Sequence, residues 1–204
     1  YGGTAVAVLI NKVFVGVISV ADIPRTEAQE SMHEIKDLGV KETIMFTGDN
    51  QAVAETVAGR LGMTSFVASM SPEDKLRKLE ALTSESRVVG MVGDGINDAP
   101  ALARAHVGIA MGRGGSAVAV EAADIIILTD NLKRIPEMIR LGKNTASVIR
   151  WDMVIWVASN ALGFALVLTG FAGPALAAFY NFATDFFPLI NSTRLFRKDK
   201  KVLV

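Results

Sequence analysis

The chain is expected to be an α/β protein, a parallel sheet with helices on both faces, followed by a transmembrane α-helical hairpin. Three observations point there. Apolar, β-rich runs alternate with helical patterns over roughly the first 130 residues, as buried parallel strands with helical crossovers do. Polar loops TGDN, GDGIND and Met111-Gly112 close three of those runs in turn, at the strand ends where such sheets collect ligands. Residues 153–195 are nearly free of charge, whereas 1–147 carry an ordinary globular mixture.

The elements follow in order. TAVAVLI and KVFVGVISV read as a hairpin turning at Asn11 and Lys12. A helix is expected from about Arg25 to Leu38, stopped by Gly39. ETIMFTGDN is a strand ending at Thr47-Gly48-Asp49, and a helix from about Gln51 to Leu61 stops at Gly62. In SMSPEDKLRKLEALTSE, Ser71 caps a helix with Pro72 at its first position and Glu73 and Asp74 in the first turn. RVVGMVGDG, VGIAMG and DIIILTD are the remaining strands. The domain boundary is placed at 135/136, and two membrane helices at about 151–172 and 175–196.

Bulk composition narrows the function classes. The 21 acidic and 21 basic side chains balance, so no net field favours nucleic acid as a partner. The absence of cysteine excludes disulfides and thiolate metal sites within the chain. The opening YGGTAVAVLINKVF lacks both an initiator Met and a basic leader, so Tyr1 is expected to be a cut point inside a longer protein.

The polar loops suggest phosphate chemistry. Thr47 can donate a hydroxyl hydrogen bond to a phosphoryl oxygen, and Gly48 lets backbone amides approach it. Taken alone, TGDN reads better as a strand-to-helix turn with Asp49 or Asn50 capping the next helix. Asp94 and Asp98 stand four apart, with Gly93 and Gly95 around the first. Magnesium prefers such hard carboxylate oxygens, one or two of them beside phosphate and water. The plainer alternative is a glycine-rich turn capping the helix at Ala99-Pro100. Two acids at a strand end, however, are costly without a cation or lysine to offset them. A threonine, Lys75 and an acidic pair at successive strand ends suit phosphoryl transfer, which is mostly positioning and charge neutralisation.

TGDN, SPEDK and MVGDGINDAPALARAHVGIAMG, in this order, resemble the phosphorylation domain of P-type cation-transporting ATPases, a Rossmann-like, haloacid-dehalogenase-like fold. The continuation GSAVAVEAADIIILTDNLKRIPEMIRLGKNT is similar to the heavy-metal (type IB) subgroup. The resemblance implies that Thr47 contacts the phosphoryl group and Lys75 offsets its charge. It further implies that Asp94 ligates Mg²⁺, that Asn97 helps hold the phosphoryl site, and that Asp98 pairs with Lys75 within the Mg²⁺ region. Gly48, Asp49, Gly93 and Gly95 would shape the loops. It implies ATP as a partner, bound mainly by a nucleotide-binding domain outside this chain, together with a transported metal cation. One departure matters: the family's nucleophile is the Asp of DKTGT, and no Asp here precedes Lys-Thr-Gly. The chain would therefore complete an active site whose phosphorylated residue lies elsewhere in the pump. The alternatives are a membrane-anchored phosphatase of the same superfamily or a catalytically inert fragment. For the phosphatase, Asp22 is poorly suited as nucleophile, being followed by Ile-Pro.

The apolar region fits a bilayer. MVIWVASNALGFALVLTGFA, residues 153–172, has the length of a hydrocarbon core and no charge, and Gly173-Pro174 break it. Lys143 and Arg150 before the pair, and Arg194, Arg197, Lys198, Lys200 and Lys201 after it, should place both ends in the cytoplasm, and a multi-pass protein of the plasma membrane is expected. Asn160, Asn181 and Asp185 are candidates for the transported ion, since polar groups at membrane depth mark ion paths or helix contacts. A structural acid paired with a base outside the chain is an equal reading of Asp185. Pro188 should kink the second span and free a carbonyl. A helix from Pro136 through Trp156 would act as a stiff lever into the membrane, with Gly142 its soft spot.

Overall fold

The computed structural model describes residues 4–20, 24–85, 87–93, 96–112 and 117–195. The chain divides into two units, Tyr1–Pro136 and Glu137–Val204.

The first unit begins with an antiparallel hairpin, β1 (Thr4–Ile10) and β2 (Val13–Val20). Asn11 and Lys12 form its turn with φ of 49° and 67°, the left-handed pair that matches a hairpin's twist. A bulge between Val8 and Leu9 shifts the register. Helix α1 (Ala28–Asp37) starts three residues later than the sequence suggests, because Arg25–Glu27 form a turn whose carbonyls accept from Ala28 and Ser31. Strand β3 (Ile44–Phe46), helix α2 (Gln51–Leu61) and strand β4 (Ser65–Val67) make one parallel unit, with Met45 opposite Phe66. Asn50, not Asp49, caps α2 by accepting from the Val53 N–H. Gly62 closes it at φ 65°. Strand β4 has no sequence signal of its own: SFV is three residues long, and pairing with β3 is what makes it a strand.

Helix α3 (Pro72–Ser84) leads to β5 (Gly90–Gly93), and a 3₁₀ turn (Ile96–Asp98) and α4 (Ala99–Arg104) lead to β6 (Val107–Met111). Helix α5 (Ala117–Ala122) then reaches β7 (Ile125–Ile127). Strands β5, β6 and β7 are parallel and in that order. Strand β6 is central, with Ile109, Ala110 and Met111 buried. Leu102 and Ala110 form the core here, and Met91, Ala122 and Ala123 pack on them. A Cβ on Gly108 would lie 2.5 Å from the Leu102 carbonyl oxygen, so only glycine lets α4 rest this closely on β6. The parallel strands thus form two ladders among the described residues, β3–β4 and β5–β6–β7, where one sheet was expected. Val88 and Val92 at β5 remain 86% and 38% exposed.

The second unit is a helical hairpin entered through α6 (Arg134–Leu168), which runs unbroken through Gly142. It is the one helix among the described residues long and apolar enough to cross a membrane. It ends at Leu168, four residues short of the expected limit, where Gly170 turns at φ 73° and the Ala172 N–H donates to the Leu166 carbonyl. Pro174 then opens α7 (Pro174–Thr184), and α8 (Phe186–Ser192) follows. The single second span expected over 175–196 is therefore broken at Asp185. Pro188 supplies the reason, since it has no N–H for the Thr184 carbonyl four residues back and its ring crowds that carbonyl. Phe182 and Phe186 meet edge to face across the break, ring centroids 5.3 Å apart.

Candidate functional site

The loops after β3 and β4 are stitched together by backbone bonds. The Thr47 N–H donates to the Val67 carbonyl (3.1 Å), that of Met70 to the Thr47 carbonyl (3.0 Å), and that of Ser69 to the Asp49 carbonyl (2.7 Å). Within its turn the Thr47 hydroxyl donates to Asp49 Oδ2 at 2.7 Å and accepts from the Asp49 N–H at 3.1 Å. A Cβ on Gly48 would be 3.6 Å from the Met70 carbonyl oxygen, an ordinary contact, so space alone does not demand glycine there.

Ser71 follows directly and caps α3. Its side chain accepts from the Asp74 N–H (3.2 Å), and its own N–H donates to Asp74 Oδ2 (3.0 Å). This reciprocal box satisfies two otherwise orphaned donors. Hydrogen bonds from the Ser71 hydroxyl and N–H, then from Arg77, hold the Asp74 carboxyl below its ordinary value. The box fixes the first turn of α3, and Lys75 sits in that turn.

Lys75 Nζ donates to Asp98 Oδ1 at 2.8 Å, with the two side chains only 17% and 14% exposed. Asp98 occupies the N-cap position of α4 yet makes no cap bond. Its carboxylate is turned onto the lysine instead. Gly93, at the end of β5, makes that possible: a Cβ there would be 2.7 Å from Asp98 Cβ and 2.9 Å from Oδ2. Asn97 beside it is exposed, and Asp94 and Gly95 lie outside the described residues. Along the same strand edge Gly112 adopts φ 111°, and a Cβ on it would meet Asp130 Oδ1 at 3.3 Å. Lysine, carboxylate and threonine loop are thus linked in sequence, from Thr47 through Met70 and Ser71 to Lys75 and Asp98.

The membrane-depth candidates do not gather in the same way. Asn160 Nδ2 donates to the Trp156 carbonyl of its own helix (2.8 Å). The Asn181 carbonyl accepts from the Thr184 hydroxyl and the Asp185 N–H, and the Asn181 and Asp185 side chains are exposed. Among the described residues no group of three or more His, Cys, Asp or Glu is placed to hold a metal ion.

One polar cluster escaped the sequence reading. Asp152 on α6 accepts from Asn191 Nδ2 (2.7 Å) and from the Ser192 hydroxyl (3.0 Å) on α8. A lone acid at the border of an apolar run was its signal, but nothing in sequence pairs it with residues 39 and 40 positions away.

A family model described as haloacid dehalogenase-like hydrolase matches residues 2–106. This chain belongs to that family. The matched stretch holds Thr47, Lys75, Asn97 and Asp98. Over 95% of its length the haloacid dehalogenase-like chain is 42% identical to a zinc-exporting P-type ATPase of Mycobacterium marinum. Over the same share it is 40% identical to a manganese-exporting P-type ATPase of Mycobacterium tuberculosis. It covers 26% and 27% of those relatives, so it spans about a quarter of their length. Among solved structures, it superposes on a zinc-transporting PIB-type ATPase in the E2·Pi state with a TM-score of 0.85 and 36% identity. That match covers 95% of this chain and 32% of the other.

Proposed function

We propose that this chain is the C-terminal part of an ATP-driven metal pump, the back of its phosphorylation domain followed by a membrane hairpin. The Lys75–Asp98 pair carries the reading: a shielded lysine held at 2.8 Å by a carboxylate, at the carboxyl ends of parallel strands. Preorganised positive charge at that edge is what a transferring phosphoryl group needs. Asp98 positions the ammonium, Lys75 offsets phosphoryl charge, and Thr47 exchanges its bond to Asp49 for one to a phosphoryl oxygen. Asn97 reaches the same group from beside Asp98, and Gly48 and Asp49 shape the turn.

The residues present fit Mg²⁺. With Asp98 committed to Lys75, Asp94 immediately after β5 is the carboxylate left for the ion, and one or two carboxylates suffice beside phosphate and water. Bound there, Mg²⁺ would neutralise phosphate charge. The nucleophile comes from outside the chain. Strands β3 and β5 sit in separate ladders, and the apolar Val88 and Val92 are uncovered. A strand from the upstream part of the pump, set between them, would complete the sheet and carry the phosphorylated aspartate. ATP is held by a separate nucleotide-binding domain. Asn160, Asn181 and Asp185 contribute to the cation path with other membrane helices, in a multi-pass protein whose phosphorylation domain faces the cytoplasm. The zinc- and manganese-exporting relatives make Zn²⁺ and Mn²⁺ the first cations to test.

The test is phosphoenzyme formation by the full-length protein from γ-labelled ATP. Labelling should require Mg²⁺ and respond to Zn²⁺ or Mn²⁺, and Asp94→Asn should abolish it. Normal labelling of Asp94→Asn would remove Asp94 from the Mg²⁺ role, and a full-length protein that never labels would overturn the pump reading.

A further inference from the structure

The helical hairpin is held at two levels. At one, a Cβ on Gly163 of α6 would lie 2.9 Å from the Tyr180 ring, and the Tyr180 hydroxyl donates to the Ser159 carbonyl at 3.0 Å. At the other, Asp152 grips α8 with both carboxylate oxygens, Oδ1 taking the Asn191 amide (2.7 Å) and Oδ2 the Ser192 hydroxyl (3.0 Å). From Asp152 to Gly163 and from Tyr180 to Asn191 the chain advances by the same eleven residues. The two levels are therefore about 16 Å apart at helical rise, and the break at Asp185 lies between them without shifting the register of the antiparallel helices.

The grip extends further on both sides. Arg194 Nη1 donates to Asn191 Oδ1 at 3.0 Å, which leaves the amide N–H for Asp152. The Ser192 hydroxyl is also 3.0 Å from the carbonyl of Pro188, the residue that forces the break. A carboxylate suits this place because it accepts at two oxygens at once, and charge-assisted bonds are about twice as strong as neutral ones.

We propose that Asp152 is a positioning residue that makes α8 move with α6, so that movement along α6 is taken up at the Asp185 break instead of by sliding of the hairpin. Asn181 lies one turn before that break and Asp185 stands at it, so the clasp sets when these polar groups rearrange. This rests on the pump reading above. The bonds of Asp152 run to α8, and its effect falls on ions moved per ATP consumed.

The experiment uses the full-length protein in sealed vesicles, with Zn²⁺ uptake and ATP hydrolysis read in parallel. Asp152→Ala should form phosphoenzyme at the parent's level while Zn²⁺ moved per ATP falls at least threefold. Exchanging the partners, Asp152→Asn with Asn191→Asp, restores an amide–carboxylate bond and leaves Arg194 an oxygen acceptor at position 191. That double variant should recover the parent ratio within twofold. An Asp152→Ala protein with the parent ratio overturns the clasp. So does an exchange variant that stays as low as either single change, which also decides the matter if Asp152→Ala fails to accumulate. A parent that takes up no metal sinks the pump reading, and the clasp with it; a transporting parent matched by Asp152→Ala sinks the clasp alone.

Discussion

Replacing Gly93 with alanine would put a methyl group 2.7 Å from Asp98 Cβ, 2.9 Å from Oδ2 and 3.1 Å from Cγ. Non-bonded carbons settle at about 3.5–4.0 Å, so the Asp98 side chain must retreat by about 1 Å. Its bond to Lys75 is 2.8 Å long. Stretched by that amount it passes the roughly 3.2 Å beyond which such bonds weaken. Losing a hydrogen bond to a charged group costs about 1.5–3 kcal/mol, and the overpacking adds about 1 kcal/mol or more. Together that is about 3 kcal/mol, a large share of the roughly 5–15 kcal/mol that holds a domain together. Gly142→Ala is the matched control: a Cβ there meets nothing within 4 Å in mid-helix, so alanine should stabilise by about 0.5–1 kcal/mol. Thermal denaturation of the purified full-length variants, with phosphoenzyme labelling alongside, reads both effects. Gly93→Ala should melt several degrees lower and label weakly, whereas Gly142→Ala should melt at or above the parent temperature. A Gly93→Ala protein with the parent's melting temperature and labelling would refute the claim that this glycine exists to admit Asp98.

Gly142→Pro removes an amide donor from α6 and crowds the Met138 carbonyl, a penalty of about 3 kcal/mol in a helix interior. If α6 works as a lever, Zn²⁺ moved per ATP should fall while hydrolysis continues, and an unchanged ratio in the same vesicle assay would count against the lever. The capping box of α3 should also be acid-sensitive. Its bonds hold the Asp74 carboxyl below the ordinary value. The stabilisation is therefore fully present above the unfolded-state value near 3.9 and is lost as pH falls through the lower folded value. Protection of the Ser71 amide against hydrogen exchange, taken relative to its intrinsic rate, should fall in that acid window in the parent, and an Asp74→Asn protein should show a weaker change there. Equal profiles would dismiss the box as the cause.

Wherever one local rule decides, the residue was readable from sequence. Asn11 and Lys12 mark the hairpin turn, Ser71 and Pro72 open α3, and Gly62 closes α2, each through the conformation or hydrogen bond of a residue acting on its neighbours. The uncharged run of α6 follows from composition alone. The strand β4 was not legible, because three residues with one exposed position carry no periodicity and become a strand only against β3. Asn50 winning the cap over Asp49 was likewise open, since Asp49 is drawn into the Thr47 turn.

The sequence by itself determined the α/β class, the order of polar loops at the strand ends and the apolar hairpin, because these rest on spacing along the chain and on transfer of side chains from water. The resemblance already implied the Lys75–Asp98 pair; only the tertiary structure decided that Asp98 leaves its cap bond unmade for it, that Gly93 is empty to let it, and that Asp152 binds residues 39 and 40 positions away. Those outcomes depend on which surfaces meet across long loops, and a hydrogen bond of 2.8 Å leaves a mark on geometry that no interval in the sequence records.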